Sequence, residues 1–457
     1  MECVRSIVST LGDPTVTHIF LHDATALLRT VPGDARPRYY RSYDQRALLV
    51  ARPHDVVCVA SRKTDPSYSQ FLFELGVGPK SDHIIELNAG SDHEERSLSD
   101  LLLRRSVLLG AICKLVPSAN RVLLNPYSVS ETDHVLAHEL AKVLGRSVTV
   151  LGGNPEVAAS ANLKHVAYCK AQELGIPVAE GEVVELRQLP CGHPKSIALL
   201  QSAISRHVHD TGRVIIRGTD GISGSATITV GNDAESQREG LEALMRKPHS
   251  PVYLVQVRHE IVTSPNIQVF VQPDNGTVEV ASVSDQRLDD CLKHIGNVVP
   301  SSAATLADMI RSAETFARWL QQDGFTGLVG FDFVEYVDPQ TGRARHVLAE
   351  ANARANAATY PSFVMEHVNE RQRQRGFPPV GAYCSGHVTV RAQSFPELCD
   401  EYRNWLFNPR TGRGMVPYNL CSGEKGCTMA FYGPSRAEVE EMPHAFISEA
   451  KCRTECL

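Results

Sequence analysis

The chain has 457 residues, room for two to four domains, and its 42% hydrophobic and 21% charged residues describe a soluble globular protein. Its 46 basic and 52 acidic side chains leave a formal charge of −6, too mild for a nucleic-acid binder. The N-terminus, MECVRSIVSTLGDPTVTHIF, lacks a signal-peptide pattern, and no apolar run approaches the ~18 residues of a membrane span.

Twelve cysteines are scattered without a dense framework and read as reduced thiols of a cytoplasmic protein. Cys421, Cys427, Cys452 and Cys456 are spaced C-x5-C and C-x3-C with no CxxC, so zinc is not expected. His134 and His138 stand at i, i+4, but position 142 is Lys. The metalloprotease pattern H-E-x-x-H therefore fails, and these histidines are expected on a solvated helix face.

Residues 1–153 alternate short apolar runs (Thr17–Leu21, Asp55–Ala60, His83–Leu87, Arg121–Leu124, Val148–Leu151) with helical periods (Ser67–Leu75, Leu98–Val116, Glu131–Leu144). The alternation predicts an α/β layer on a parallel sheet. No G-x-G-x-x-G follows the first strand, so no dinucleotide site is assigned.

Asn154-Pro155 opens a second unit, 154–257. Asn162 is expected to cap a helix Leu163–Leu174 with Lys164 in its first turn. A lysine there opposes the helix dipole, and by default it is a surface residue; a bound phosphate would reverse the penalty. The stretch RVIIRGTDGISGSATITVG, 213–231, reads as a strand ending in Arg217, then a loop punctuated by Gly218, Gly221, Gly224 and Ser225, then a return strand. Small residues let backbone N–H groups approach phosphate oxygens. Val252–Val257 is an apolar strand.

Ile267–Val271 and Val278–Val283 form a hairpin across Pro273–Gly276, followed by Arg287, a candidate for neutralising phosphate or a carboxylate. Ser302–Gln322 is an amphipathic helix. Leu328–Val337 and Arg345–Asn352 then make a second hairpin around Asp338, Pro339 and Gly342. With its centre near residue 341, paired positions sum to about 682, which sets Asp332 opposite Glu350. Alternation puts Leu348, Glu350 and Asn352 on one face. Two carboxylates and an amide oxygen are hard donors of the kind Mg²⁺ prefers. After a helical piece, Val364–Arg375, Phe377-Pro-Pro379 marks a boundary. Residues 381–457 carry expected strands at His387–Arg391 and Thr428–Tyr432 and a helix at Phe395–Phe407.

The Asp332 strand followed by Glu350-Ala-Asn352-Ala-Arg354 resembles the metal-binding end of the ATP-grasp superfamily, in its amino-acid and peptide ligase form. NLKHVAYCKAQELGIPVAE, 162–180, is similar to the start of the lid in that family. The resemblance implies α/β and α+β layers: an N-terminal Rossmann-like domain (1–153) that contributes to the substrate pocket, a lid subdomain (154–257), a metal-site subdomain (258–380) and a small C-terminal α+β appendage (381–457). An extra C-terminal domain is similar to pheganomycin-type peptide ligases.

It further implies an ATP-dependent carboxylate–amine ligase that forms an amide through an acyl phosphate, with small-molecule acid and amine substrates. The cofactors would be ATP and Mg²⁺, with Mn²⁺ as a substitute. Asp332, Glu350 and Asn352 would hold the metal. Lys164, Arg217, Gly221, Gly224 and Ser225 would hold phosphates, and Gln256 and Val257 would contact adenine at the hinge. Glu260 or Asn266 would serve the ribose. Arg354 and Arg287 would be catalytic. The family carries Lys where Arg217 stands and Glu where Gln256 stands. The rivals are a ligase of another acid and nucleophile and a nucleotide-binding regulatory protein; the appendage would complete the acceptor pocket or form a homodimer contact.

Overall fold

A computed structural model describes residues 11–25, 38–60, 64–88, 96–186, 189, 193–209, 211–219, 227–247, 250–392, 394–420 and 427–455. Gly221, Gly224, Ser225, Cys421 and Cys456 lie outside them. Of residues 38–42 and 451–455 only the backbone is described.

The first sheet is parallel and runs β3-β2-β1-β4-β5, from β1 (Val16–Leu21), β2 (Val56–Val59), β3 (Ile84–Glu86), β4 (Arg121–Pro126) and β5 (Val148–Val150). Every residue of β1 is buried: helices cover both faces, so the strand is a continuous run and not an alternation. The strand order reverses between β1 and β4. In open α/β sheets that reversal leaves a crevice beyond the carboxyl ends of the two strands.

The second sheet is antiparallel, β6-β9-β7-β8, from β6 (Gly181–Glu185), β7 (Arg213–Gly218), β8 (Thr227–Gly231) and β9 (Val252–Val257). Helices Pro194–His207 and Ala234–Met245 pack on Val214, Ile216, Val230 and Val255. Alternation therefore turns Arg217 and Gln256 to the uncovered face.

The third sheet has eight antiparallel strands, β14-β13-β10-β11-β12-β15-β17-β16. These are β10 (Pro265–Val271), β11 (Val278–Leu288), β12 (His294–Val299), β13 (Gly327–Val337), β14 (Ala344–Asn352), β15 (Ala382–Val388), β16 (Gly414–Tyr418) and β17 (Cys427–Gly433). Helix Leu306–Gln322 buries Met309, Phe316 and Leu320 against Ile267, Val269, Phe331 and Phe333. The opposite face carries Asn266, Gln268 and Asp332. Residues after 380 continue this sheet: β15 pairs with β12 at Val298↔Cys384. They are strands of the central layer and not a separate appendage.

The parallel strands, the helix Glu131–Leu144 and both hairpins fall where the sequence puts them. Four expectations shift. Leu98–Val116 is two helices, Leu98–Leu103 and Ser106–Leu115, because Arg105 leaves the helical region and donates to Leu87 O. The strand expected at His387–Arg391 is Ala382–Val388, paired on both edges. The helix from Phe395 stops at Tyr402. Asn162 does not cap Lys164–Glu173: it ends the preceding helix, and its Oδ1 accepts from Ala353 N at 3.0 Å. His134 is also bound, Nε2 to Gly153 O at 2.8 Å. Among the described residues no helix is long and apolar enough to cross a membrane.

Helix Thr359–Arg375 joins the central sheet to the N-terminal layer, where buried His367 Nε2 meets Val50 O at 3.2 Å. Burial pulls this imidazole down to about 4, helped by Arg52 and opposed by the Val50 bond. The folded value lies below the ordinary one, so the unfolded chain binds the extra proton. Stability is full above pH ~6.5 and is lost as pH falls toward 4, on the order of 3 kcal/mol for a shift of this size. His367→Gln is expected to flatten that part of the pH–stability curve. Urea unfolding at pH 7.5 and 4.5 checks it, and an unchanged slope would show that His367 is not the group responsible.

Candidate active site

Asp332 stands opposite Glu350, the pairing predicted from the centre of the hairpin. Phe333 pairs with Leu348, so Ala349 is an extra residue in β14, a bulge. The bulge changes which way β14 faces. Glu350 and Asn352 share the face of Asp332, but Leu348 turns into the core beside Phe333, against the simple alternation expected. It also leaves the Ala349 carbonyl to accept from Arg217 Nη1 at 2.9 Å.

Asp332 is embraced by amides. Oδ1 accepts from Asn266 Nδ2 at 2.6 Å and Oδ2 from Asn352 Nδ2 at 3.1 Å. Burial and the neighbouring Glu350 raise its carboxyl well above the usual range. For Glu350, burial pushes upward too, but Lys164, Arg217 and Arg354 outweigh it and the net shift is down. Lys164 Nζ lies 3.3 Å from Glu350 Oε1. This lysine is buried, because the helix turns Lys164, Ala167, Tyr168 and Ala171 inward. The default surface reading of Lys164 is thereby overturned.

Strand β14 ends at Asn352 and the chain turns, with Arg354 N donating to Asn352 O at 2.8 Å. Arg354 Nη1 returns to Asn352 Oδ1 at 2.5 Å, while its buried Nε has no hydrogen-bond partner. Arg354 therefore joins the site through the turn and not through strand parity.

Sequence reasoning missed an amide chain. Gln268 Nε2 donates to Asn266 Oδ1 at 3.3 Å and to Asn356 Oδ1 at 2.8 Å, and Gln268 Oε1 accepts from Thr359 Oγ1 at 3.0 Å. Asp332 is thus tied to the turn that carries Arg354. The signal was present: in NIQVFV two amides sit at alternate positions of an otherwise apolar strand. Gly330 belongs to the same device, since a Cβ there would strike the Asn356 side-chain amide.

Three expectations do not survive. Gln256 is buried, accepts from Arg217 Nη2 at 2.5 Å and donates to Ala179 O at 3.3 Å. Val257 N donates to Glu180 O at 2.7 Å. The Gln256 amide and the Val257 N–H are thus both engaged inside the lid. Arg287 is on the other face: Ser284 pairs with Asn266, which pairs with Asp332, and Arg287 is three residues on. Its Nη1 lies 3.3 Å from Cys384 Sγ and from Ser385 O, so it leaves the catalytic set. Of the two ribose candidates, Asn266 is held on Asp332, whereas Glu260 lines an open cleft of about 990 Å³ with the hinge residues Arg258, His259 and Ser264 and with Tyr336. His259 stacks on Tyr336 at 3.8 Å.

The donor set suits a divalent cation. Asp332, Glu350 and Asn352 offer hard oxygens at one spot, and two half-buried carboxylates side by side call for positive charge. Among the described residues no group of three or more His, Cys, Asp or Glu converges as a metal site; this one is two acids and an amide.

No family model matches the chain, and no curated protein matches it. Solved structures do. N5-carboxyaminoimidazole synthase from Aspergillus clavatus, in complex with ADP and 5-aminoimidazole ribonucleotide, is 12% identical over 96% of this chain and 99% of its own, with TM-score 0.52. The synthetase from Staphylococcus aureus complexed with ADP is 11% identical over 96% and 98%, TM-score 0.52. Biotin carboxylase from Campylobacter jejuni, as a β,γ-ATP complex, is 12% identical over 93% and 88%, TM-score 0.52. The chain shares their fold, the ATP-grasp architecture.

Arg217→Ala strips a donor from Ala349 O and from Gln256 Oε1, both part-buried, where an unsatisfied acceptor costs about 1–3 kcal/mol. A loss of that order is expected in urea unfolding, partly restored by Arg217→Lys. Wild-type stability in the alanine variant would mean that the guanidinium does not bracket lid and hairpin.

Proposed function

We propose that the protein is an ATP-dependent ligase that joins a carboxylate to an amine, with release of ADP and phosphate. The observation that carries this reading is the convergence of Asp332 and Glu350 from one hairpin with Lys164 and Arg217 from two other elements. Nucleotides bound by the similar structures support it. Asp332, Glu350 and Asn352 would hold Mg²⁺, which supplies charge neutralisation for phosphate oxygens. Lys164 and Arg217 would bind the phosphates, with Gly221, Gly224 and Ser225 as the proposed backbone cradle.

A carboxylate resists attack because it is anionic and resonance-stabilised. Its oxygen attacks the γ-phosphorus, the bond from γ-phosphorus to the bridging oxygen breaks, and ADP leaves. The amine then attacks the carbonyl carbon of the acyl phosphate, phosphate departs, and the amine nitrogen loses a proton. Alignment and charge stabilisation suffice for both steps, and no serine or cysteine nucleophile is needed. Arg354 would meet the charge that develops on the acyl phosphate. A lid closed over the site would keep water from the intermediate. Amino-acid-like substrates remain the proposal from the sequence for both acid and amine.

ADP release that requires both an acid and an amine is the expected behaviour; Mg-ATP binding with no turnover on any pair would instead favour the regulatory reading. Two variants separate the roles. Glu350→Gln removes a charge from the cation's donors, so turnover should collapse with little rescue by excess Mg²⁺. Arg354→Ala should keep Mg-ATP affinity within a few-fold and lower kcat by roughly 10²–10³. Loss of Mg-ATP binding with a normal single-turnover rate at saturation would make Arg354 a nucleotide ligand.

A further inference from the structure

The turn that carries Arg354 has little to pack with. Residues 353–358 read Ala-Arg-Ala-Asn-Ala-Ala, and a buried alanine contributes far less apolar area than a leucine or a phenylalanine. Burial alone therefore does not fix where Arg354 points. Hydrogen bonds hold the turn, and they lead back to Asp332 along two arms. The near arm is Asn352, which donates to Asp332 Oδ2 at 3.1 Å and accepts from Arg354 Nη1 at 2.5 Å. The far arm starts at Asp332 Oδ1, which accepts from Asn266 Nδ2 at 2.6 Å. Gln268 continues it: Nε2 donates to Asn266 and Asn356, and Oε1 accepts from Thr359 Oγ1. That hydroxyl accepts in turn from Asn356 N at 3.0 Å, and Asn356 Oδ1 accepts from Ala358 N at 3.0 Å.

We infer that Gln268 is a positioning residue: it fastens the Arg354 turn to Asp332, so that the guanidinium stands where the transferred phosphoryl group will be. The inference rests on the ligase reading above and adds to it a residue that touches neither nucleotide nor cation. Gln268 is 0% exposed, so no substrate atom reaches it, and its part is played through Arg354. Thr359 is equally buried. A buried amide chain with its ends engaged is rigid, and one left half-satisfied is costly. Such supporting bonds are what hold a reacting group within the narrow limits that chemistry needs. Gly330 serves the same arrangement. Its backbone is ordinary strand, but a Cβ there would strike Asn356 Nδ2; glycine leaves the space that this amide takes. Without the far arm, the turn is held from one side only. A displacement of about 1 Å at a reacting group costs on the order of 10²-fold in rate.

Two probes on the full-length protein test this. Mg²⁺ with a non-hydrolysable ATP analogue reports the ground state. Mg²⁺, ADP and aluminium fluoride, whose planar anion stands in for the phosphoryl group in flight, report the transfer. Gln268→Leu is expected to bind the ATP analogue within about threefold of wild type and the aluminium fluoride complex at least about tenfold more weakly. Thr359→Val, which removes the hydroxyl at nearly unchanged volume, is expected to behave alike, and Thr359→Ser to restore wild-type binding of both probes. Gly330→Ala should match Gln268→Leu, because it displaces only the end of the Asn356 side chain. Arg354→Ala weakens the aluminium fluoride complex by itself; adding Gln268→Leu is expected to cost less than about twofold more, since both act through one guanidinium. A residue that merely fills the core would weaken both probes equally or neither, and either result in Thr359→Val and Gly330→Ala overturns the inference, as does a fully additive loss in the double variant. A wild-type protein that does not bind Mg²⁺ with the ATP analogue overturns the ligase reading itself.

Discussion

Two carboxylates cannot share one buried stretch of a hairpin unless positive charge is held close by. Asp332 opposite Glu350 imposes that demand, and three elements far apart in sequence answer it. Lys164 comes from the first turn of a helix, Arg217 from the end of a lid strand and Arg354 from the turn after β14. A lysine at a helix start is otherwise a poor choice; here Glu350 is the anion that makes it favourable. The lid sheet has its own core, while the helices that precede it also share an apolar core with the hairpin, Ala167, Ala171 and Ile176 with Leu348.

The bulge at Ala349 turns that attraction into a fixed geometry. In a regular hairpin the Ala349 carbonyl would be paired within the strands, and Leu348 would face the acids. With one extra residue, Leu348 goes to the core and the carbonyl meets the Arg217 guanidinium, which also holds Gln256. On the outer edge of β14, Leu348 N donates to Pro177 O at 2.8 Å, where the chain runs from the lysine helix toward the lid. The lid is thus fastened at both sides of the bulge, one contact by backbone and one by a charged side chain.

These facts explain what could be read from the sequence. The Asp332–Glu350 register was legible because a hairpin with a clear turn has a countable centre, and a bulge beyond the pair does not disturb it. The bulge itself was not legible: VLAEAN, 347–352, carries no glycine or proline to announce it, so Leu348 was placed on the wrong face. Lys164 was identified through resemblance, but its burial depends on which helix face meets β14, and that helix is only weakly amphipathic. Strands covered on both faces lose alternation, which displaced β15 from the expected His387–Arg391 and left β12 and β16 unassigned. Arg287 and Gln256 show the opposite error. Both residue types suit the proposed chemistry, yet the direction of Arg287 depends on sheet parity across several strands, and the Gln256 amide, on the right face, is engaged by Arg217 and Ala179.

The uncharged residues around the acids complete the electrostatic logic. Asn266, Asn352 and Gln268 could each have been carboxylates at the same positions and still have bonded to something, but every added acid would have required another cation in a space already holding Lys164, Arg217 and Arg354. As amides, Asn266 and Asn352 donate to Asp332 and Gln268 donates to Asn266, without changing the charge. With both carboxylates ionised, two against three cations leave the described site with one net positive charge, and a bound Mg²⁺ would raise that to three. Such a surplus is unstable for the protein alone and is what a nucleoside triphosphate offsets. The proposed site is therefore balanced for the loaded complex, with cation and nucleotide favouring each other's binding through charge alone.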